Sequence, residues 1–510
     1  MNSTIPAWFQ QTVARGGADS GIVFEARHHR LPELAGWAAQ LAQWMGSRGV
    51  GPGDVVGLYL PTRMEIVAAH LGAMLRGAVT LPLNTAYTGD ELAYILSDAS
   101  AKLVITDQRG WSALAPVRAQ LPKLELVALP DEPDSPLPPG TERLPAHHKA
   151  DAETRMPGSP AKPEDVAMIL YTSGTTGRPK GAQLTHRNIT SNLASIIQAW
   201  RITSADRFLL TLPLFHAHGL ILGLHSALFS GCLTFLRARF DAEEVLRELA
   251  ALRCTLYMGV PTHYFRFLKL PILSQLNLSG MRLFTSGSSA LDSATFHAFR
   301  ARSGHSILER YGLTETLFNT GNPYEGDRKP GTVGLPFPGV EVSIQDDQGT
   351  ALAQGDEGEI CIRGPNVFKG YLNRPEASAE AMREGWFRTG DVGRFRREDG
   401  YLEILGRAKD LIITGGYNVY PAEVEAVLMA IPSVEEASVI GRPSEEYGET
   451  VHAVVVPKAG YKPDPESLMA EAAKHLAKYK VPRSIDIVPA LPRNAMGKVQ
   501  RRVLREGRNG

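Results

Sequence analysis

The chain has 510 residues, which at about 150 residues per domain allows three or four globular units. Hydrophobic residues are 43% and charged residues 21%, a composition that builds a large packed core and excludes a disordered or collagen-like chain. Lys+Arg and Asp+Glu both total 54, and a net charge of +0 argues against wholesale binding to nucleic acid or an anionic membrane.

In chain order, MNSTIPAWFQQTVARGG lacks the apolar run of a secretory signal, and the final GRNG matches no retention or peroxisomal address. From residue 50, short apolar runs alternate with helical periods. VVGLYL (55–60) reads as a buried strand, EIVAAHLGAMLRG (65–77) as a helix ending at Gly77, then VTLPL (79–83), ELAYILSD (91–98) and KLVITD (102–107) continue the pattern. Such alternation predicts an α/β fold with parallel sheets covered on both faces. Nine prolines between 130 and 163, mixed with Asp, Glu, Ser and His, predict a solvated connection. VAMILY (166–171) resumes the strands.

Residues 209–236 contain no Asp, Glu, Lys or Arg and are long enough to span a bilayer. They also hold Pro213, His216, His218 and His225, so a buried core segment is the better reading. Cys232, Cys254 and Cys361 lie far apart with no CxxC pair, which fits a reducing, cytoplasmic setting without disulfides or a Cys-rich zinc site. From about residue 406 the character shifts to a compact α+β unit: helix 422–431, strands 436–441 and 450–457, helix 465–479 and strand 484–488. The expected organisation is a large multi-subdomain N-terminal body (1–408) and a small C-terminal domain (409–510).

The most informative segment follows VAMILY: Tyr171-Thr172-Ser173-Gly174-Thr175-Thr176-Gly177-Arg178-Pro179-Lys180-Gly181. Backbone N–H groups and hydroxyls with little side-chain obstruction, together with the Lys180 cation, are the requirements for cradling a polyphosphate. The loop is not a Walker A sequence, because Gly177 is followed by Arg-Pro-Lys. The alternative reading is a flexible surface linker.

YTSGTTGRPKGA resembles the signature of the adenylate-forming superfamily of acyl-CoA synthetases, nonribosomal adenylation domains and luciferases. Four further matches keep the superfamily's order: Tyr311-Gly312-Leu313-Thr314-Glu315, Thr389-Gly390-Asp391, Gly406-Arg407-Ala408-Lys409-Asp410 and Pro492-Arg493-Asn494-Ala495-Met496-Gly497-Lys498. The resemblance implies the superfamily's fold, with a mobile C-terminal domain hinged near Lys409. It places Thr172, Ser173, Gly174, Thr175, Thr176, Gly177 and Lys180 at the phosphates of ATP and Ser286, Gly287 and Ser288 beside the adenine. Glu309, Tyr311, Gly312 and Thr314 complete the nucleotide site, with Asp391 and Arg407 at the ribose. Glu315 would help hold Mg²⁺, a hard cation that takes carboxylate and phosphate oxygens. Lys498 would bridge the attacking carboxylate and the α-phosphate, and Gly415 and Gly416 would face the thiol channel used by coenzyme A.

Arg266 and Arg310 occupy positions commonly uncharged in the superfamily. A guanidinium fork matches a carboxylate, so two of them point to a second carboxylate on the substrate; the alternative is that either pairs with a neighbour such as Glu309 or lies outside the pocket. PLNTAYT (82–88), FHAHGL (215–220), LERYGLTET (308–316), NPYEGDR (322–328) and GPNVFKGY (364–371) together resemble bacterial malonyl-CoA synthetases. That resemblance implies malonate as substrate, with methylmalonate accepted to varying degrees, His216 near the reacting carboxylate, and Arg266 and Arg310 on the distal one. Ala217, Ser289-Ala290 and Phe318 depart from that pattern, and Phe318 is expected to favour malonate over its 2-methyl homologue. The competing readings are a CoA ligase for another short di- or monocarboxylic acid, a stand-alone module loading a carrier protein, and a nucleotide-binding scaffold. The resemblance leaves monomer and homodimer both open.

Overall fold

The computed structural model describes residues 3–17, 19–130, 136–147, 156–172, 179–414, 417–444, 447–493 and 499–507. They group into two compact units. The first comprises residues 1–330, 334–342 and 362–387; the second comprises 331–333, 343–361 and 388–510. The expected division at 408/409 is therefore displaced: the hairpin carrying Asp391 and Arg407 belongs with the C-terminal residues.

The first unit is built on two large sheets. One has nine strands, in the order Leu335–Pro336, Leu317–Gly321, Ile307–Leu313, Leu283–Ser286, Leu256–Gly259, Arg207–Leu210, Leu233–Leu236, Gly21–Phe24 and Arg27–Arg30. Its six central strands, from Ile307–Leu313 to Gly21–Phe24, run parallel and the outer ones antiparallel. The other sheet has eight strands, with Val79–Pro82, Val55–Tyr59, Ala101–Thr106 and Leu126–Leu129 as its parallel centre. The apolar runs read from the sequence supply these central strands because a parallel strand is buried on both faces.

Helices start where side chains can satisfy their free N–H groups. Thr88 and Glu91 form a capping box at Gly89–Asp98, and Thr185 and Asn188 form another at His186–Ala199. Asp107, Asp241 and Asp292 cap three more. Each such cap stabilises its helix by about 1 kcal/mol. An aromatic cluster of Tyr257, Tyr264, Phe267, Phe284 and Phe299 fills the core behind the nine-stranded sheet.

Some expectations shift. Within the proline-rich connection, Glu142–Arg143 adds a parallel strand beside Leu126–Leu129, because the edge of that sheet still had unpaired backbone groups to offer. The helix expected over 465–479 ends at Ala472. In the second unit, strands Val434–Ser444 and Gly448–Pro457 pair antiparallel, and Ser484–Ile487 adds in parallel to the latter.

Residues 209–236 form buried strand, helix and strand. A π-helical turn, His218–His225, runs into the helix Ser226–Ser230. Among the described residues, no helix is long and apolar enough to cross a membrane. At the far end of this stretch His225 meets His70, their Nε2 atoms 2.7 Å apart and both rings fully buried. His186 lies close by, with its Nδ1 accepting the Ile5 N–H at 3.3 Å. Burial pushes His70 down to about 3 and His186 to about 4, and holds His225 well below the ordinary imidazole range.

These histidines generate an acid-sensitivity prediction. Below about pH 6.5 the unfolded chain binds protons that the folded rings refuse, so stability falls as pH falls from there toward 4. Each ring contributes up to about 1.4 kcal/mol per pH unit in that window. Thermal unfolding at pH 7.5 and 5.0 is expected to show a large drop, reduced in His70→Gln; an unchanged pH slope in that variant would exclude the dyad as a source.

Candidate active site

The strands Val166–Thr172 and Lys180–Thr185 pair antiparallel with Thr172 opposite Lys180, so these two residues form the mouth of the Gly/Ser/Thr loop. Ser173, Gly174, Thr175, Thr176 and Gly177 lie outside the described residues. The mouth is pinned by side chains. Tyr171 Oη donates to Asp98 Oδ2 at 2.7 Å, and Arg374 pairs with Asp98 Oδ1 at 3.3 Å. Tyr94 Oη donates to the Pro179 carbonyl at 2.9 Å and accepts from Arg374 at 3.2 Å. Burial and the Asp98 carboxylate raise the Tyr171 phenol, which stays a neutral donor.

Lys180 and Glu315 meet through Tyr371. Tyr371 Oη donates to Glu315 Oε1 at 3.0 Å, while Lys180 Nζ sits 5.1 Å from the centre of the Tyr371 ring. The Glu315 main chain is held as well, its carbonyl accepting Phe368 N–H at 2.8 Å. A cation and a carboxylate are thus placed on either side of one phenol, near the base of the loop. Tyr371 and Asp98 carry no signal in spacing or periodicity; only the pairing of distant strands assigns them a role.

The second cluster gathers beyond the carboxyl ends of the central strands of the nine-stranded sheet, where open α/β sheets place their ligand crevices. His216 and His218 follow Arg207–Leu210, His263 follows Leu256–Gly259, and Gly287 and Ser288 follow Leu283–Ser286. Arg310, in the strand Ile307–Leu313, is 4% exposed, and neither its Nε nor its Nη2 has a hydrogen-bond partner. Its guanidinium lies 4.7 Å from the Phe318 ring centre. Desolvation pushes it down to about 9, a shift seldom reached by arginine.

Three histidines surround this region as neutral rings. Burial lowers His216 to about 4 and His263 to about 3, and lowers His218 far below its ordinary range with further help from Arg310. The Nε2 atoms of His216 and His218 are buried without partners. His263 is instead committed, its Nδ1 2.7 Å from Tyr257 Oη and its ring stacked on Phe240 at 3.7 Å.

The two arginines do not form the expected buried pair. Arg266, in the helix Pro261–Leu268, is exposed, with its guanidinium 5.9 Å from the Phe240 ring. It reaches the site only electrostatically, through His263. Its long stem can lie along apolar surface and keep the charge in water, whereas Arg310 is enclosed by its strand neighbours. Nor does Arg310 pair with Glu309: the two alternate across the strand. Glu309 Oε1 accepts the Leu291 N–H at 3.1 Å, Oε2 has no partner, and burial raises this carboxyl to about 8.

Ser286 is fully buried with Oγ unpartnered and lies in register with Glu309. Tyr311 is buried, Gly312 and Thr314 are half-buried, and the strand register shifts between Tyr311 and Gly312. A Cβ at Gly312 would come within 1.9 Å of the Leu317 carbonyl oxygen, so the tight approach there requires glycine.

In the second unit, Asp391 faces Arg407 across an antiparallel pair, and Arg407 Nε donates to Asp391 Oδ1 at 2.7 Å. The Asp391 N–H donates to Thr389 Oγ1, and Arg407 Nη1 to the Thr389 carbonyl. Lys409 is exposed in the short turn Ala408–Asp410. Gly415, Gly416 and Lys498 lie outside the described residues. Arg493 and Val499 form an isolated antiparallel bridge. Beyond it, Arg501 binds Glu425 at 2.7 Å and Asp410 at 3.5 Å, tying the last helix to the residue after Lys409. Among the described residues no group of three or more His, Cys, Asp or Glu could hold a metal ion.

Comparison with known proteins assigns the chain to a family. Residues 9–372 match the family described as AMP-binding enzyme, and residues 423–498 match the AMP-binding enzyme C-terminal domain. The chain is 36% identical to an oxalate–CoA ligase of Arabidopsis thaliana, covering 94% of this chain and 93% of that one. It is 34% identical to a malonate–CoA ligase of the same plant, covering 89% and 78%. A crystal structure of ATP-bound MatB from Rhodopseudomonas palustris superimposes with a TM-score of 0.90 at 39% identity, covering 99% of both chains.

A buried guanidinium with Nε and Nη2 unpartnered is kept at the expense of stability. Arg310→Met is expected to leave the ligand-free protein unchanged or more stable, by about 1–4 kcal/mol. Thermal unfolding without substrate checks this; a clear loss of stability would show that Arg310 has a structural partner.

Proposed function

The chain belongs to the AMP-binding enzymes, as an acyl-CoA ligase that uses ATP and coenzyme A, and we propose that the acid it activates is malonate. The observation that carries this reading is Arg310. A buried guanidinium with Nε and Nη2 unpartnered is costly against a fatty acyl chain and well matched to a second carboxylate. The names of the two plant relatives differ by one methylene between carboxylates, so sequence identity leaves the acid open and the pocket must decide it.

The reaction then has two halves. One oxygen of the malonate carboxylate attacks the α-phosphorus of ATP; the new O–P bond forms as the bond to the bridging oxygen breaks, and pyrophosphate leaves. The thiol of coenzyme A, losing its proton, next attacks the acyl carbon. A thioester forms and AMP departs with the bonding electrons.

Lys180, at the mouth of the Gly/Ser/Thr loop, supplies positive charge for the polyphosphate, and Lys498 supplies it where charge gathers on the α-phosphate. His216 is neutral at pH 7, so its free Nε2 suits a hydrogen bond to the reacting carboxylate and not a second full charge. Glu315, a carboxylate already oriented by Tyr371, is of the ligand type Mg²⁺ takes and would hold it beside the phosphates; the ion would screen their charge. Arg310 neutralises the distal carboxylate. Asp391 and Arg407 are the groups for the ribose.

ATP-dependent thioester formation, compared across malonate, methylmalonate, succinate, acetate and octanoate with Lys498→Ala as control, tests the reading. Malonate is expected to give the highest kcat/KM, and Arg310→Ala to lower malonate use about 100-fold or more while nucleotide binding changes little. A monocarboxylic acid in first place overturns the assignment of Arg310. No thioester from any acid, with product appearing on a carrier-protein thiol, overturns coenzyme A as acceptor. Phe318, 2% exposed beneath the Arg310 guanidinium, is expected to narrow the space at C2. Phe318→Met should raise methylmalonate use relative to malonate, and equal preference in the unaltered enzyme would remove Phe318 as the cause.

A further inference from the structure

His218 has a placement that the adenylation chemistry above does not use. It is the first residue of the π-helical turn His218–His225, a rare backbone form often found where a side chain must be re-aimed. The turn into it is tight: a Cβ on the following residue, Gly219, would lie 2.1 Å from the Pro213 carbonyl oxygen. The imidazole is thereby fixed, buried, with Nδ1 3.2 Å from Ser288 Oγ and Nε2 without a partner.

Ser288 holds a left-handed backbone, φ 72°, which a non-glycine residue adopts only when its surroundings impose it. Its neighbour Gly287 packs directly on Arg310, where a Cβ would come within 2.5 Å of both Cζ and Nε. Gly287 and Ser288 therefore touch, respectively, the two groups whose donors are unsatisfied. Arg310 is a pure donor, and its charge opposes protonation of the nearby His218 ring. A neutral imidazole carries one N–H. With the Ser288 hydroxyl donating to Nδ1, that hydrogen resides on Nε2, the unpartnered atom.

We propose that His218 is a further acid-binding residue, whose Nε2–H donates to the distal carboxylate that Arg310 neutralises, with Ser288 as the positioning residue that selects its tautomer. The proposal rests on the dicarboxylate reading of the site. One carboxylate then receives charge from Arg310 and a directed hydrogen bond from His218. The second donor carries no charge of its own, so it discriminates by geometry: it rewards an acid whose distal oxygens fall at the right separation and gives an uncharged chain end nothing to bind.

The test uses His218→Gln, His218→Asn and Ser288→Ala in the full-length enzyme, with KM and kcat measured for malonate, acetate and ATP. Glutamine can place an amide nitrogen near the position of Nε2, and asparagine only near that of Nδ1. His218→Asn is expected to raise KM for malonate at least tenfold, to leave KM for ATP within about twofold, and to spare acetate turnover. His218→Gln is expected to recover most of the loss, and Ser288→Ala to raise KM for malonate several-fold, by more than it raises KM for ATP. Equal damage from the glutamine and asparagine variants, or parallel losses with acetate and malonate, overturns the assignment and leaves His218 a packing residue. If neither His218 variant folds, Ser288→Ala decides: an unchanged KM for malonate rejects the proposal. Failure of the malonate reading is seen separately, in the acid preference of the unaltered enzyme.

Discussion

Placing a guanidinium out of water without a carboxylate partner costs several kcal/mol, and a chain that keeps one must recover that cost when a ligand arrives. Arg310 is in this position, and much of its surroundings follows from it. Gly287 is small because the guanidinium lies against its backbone. The nearby rings of His218 and His263 stay neutral, since burial excludes their charged forms and the neighbouring arginines add repulsion. Phe318 offers the π-face that a buried cation tolerates. In the proposed reading a carboxylate seated there would relieve all of these at once, so affinity for the acid would be stored in the unliganded protein as lost stability.

The nucleotide side is arranged on a different principle. Tyr171, Asp98, Arg374 and Tyr94 form a closed set of hydrogen bonds and ion pairs at the mouth of the phosphate loop. Because these groups satisfy one another, the ends of the loop stay in place without a ligand. Lys180 and Glu315 each contact Tyr371, one over its ring and the other through its hydroxyl, so a single phenol positions both charges.

The cluster around Arg310 occupies the position that a parallel sheet provides. Loops at the carboxyl ends of adjacent strands converge there, and consecutive strands deliver residues far apart in sequence, such as His216, Gly287 and Arg310, to one crevice. The second unit repeats the economy on a smaller scale. Its antiparallel pairing sets Asp391 opposite Arg407, and Arg501 clamps the last helix to the carboxylates of Glu425 and Asp410.

The family, the α/β class and the alternation of strands and helices were legible in the sequence, because buried parallel strands read as unbroken apolar runs and the glycine-rich loop needs its residue types in fixed succession. So was the buried character of 209–236, where histidines and a proline exclude a lipid-facing helix. The burial of single side chains was not. Arg266 and Arg310 look equivalent as letters, yet one lies at a helix surface and the other inside a strand, and only the packing of the chain separates them. His218 stood within FHAHGL beside His216, but its ring meets Ser288, 70 residues away, and Tyr371 contacts Lys180 and Glu315 only when three distant segments come together. Local pattern determines which elements form; whether a charge ends up paired, solvated or stranded depends on neighbours brought in by the fold, and that was decided by tertiary structure alone.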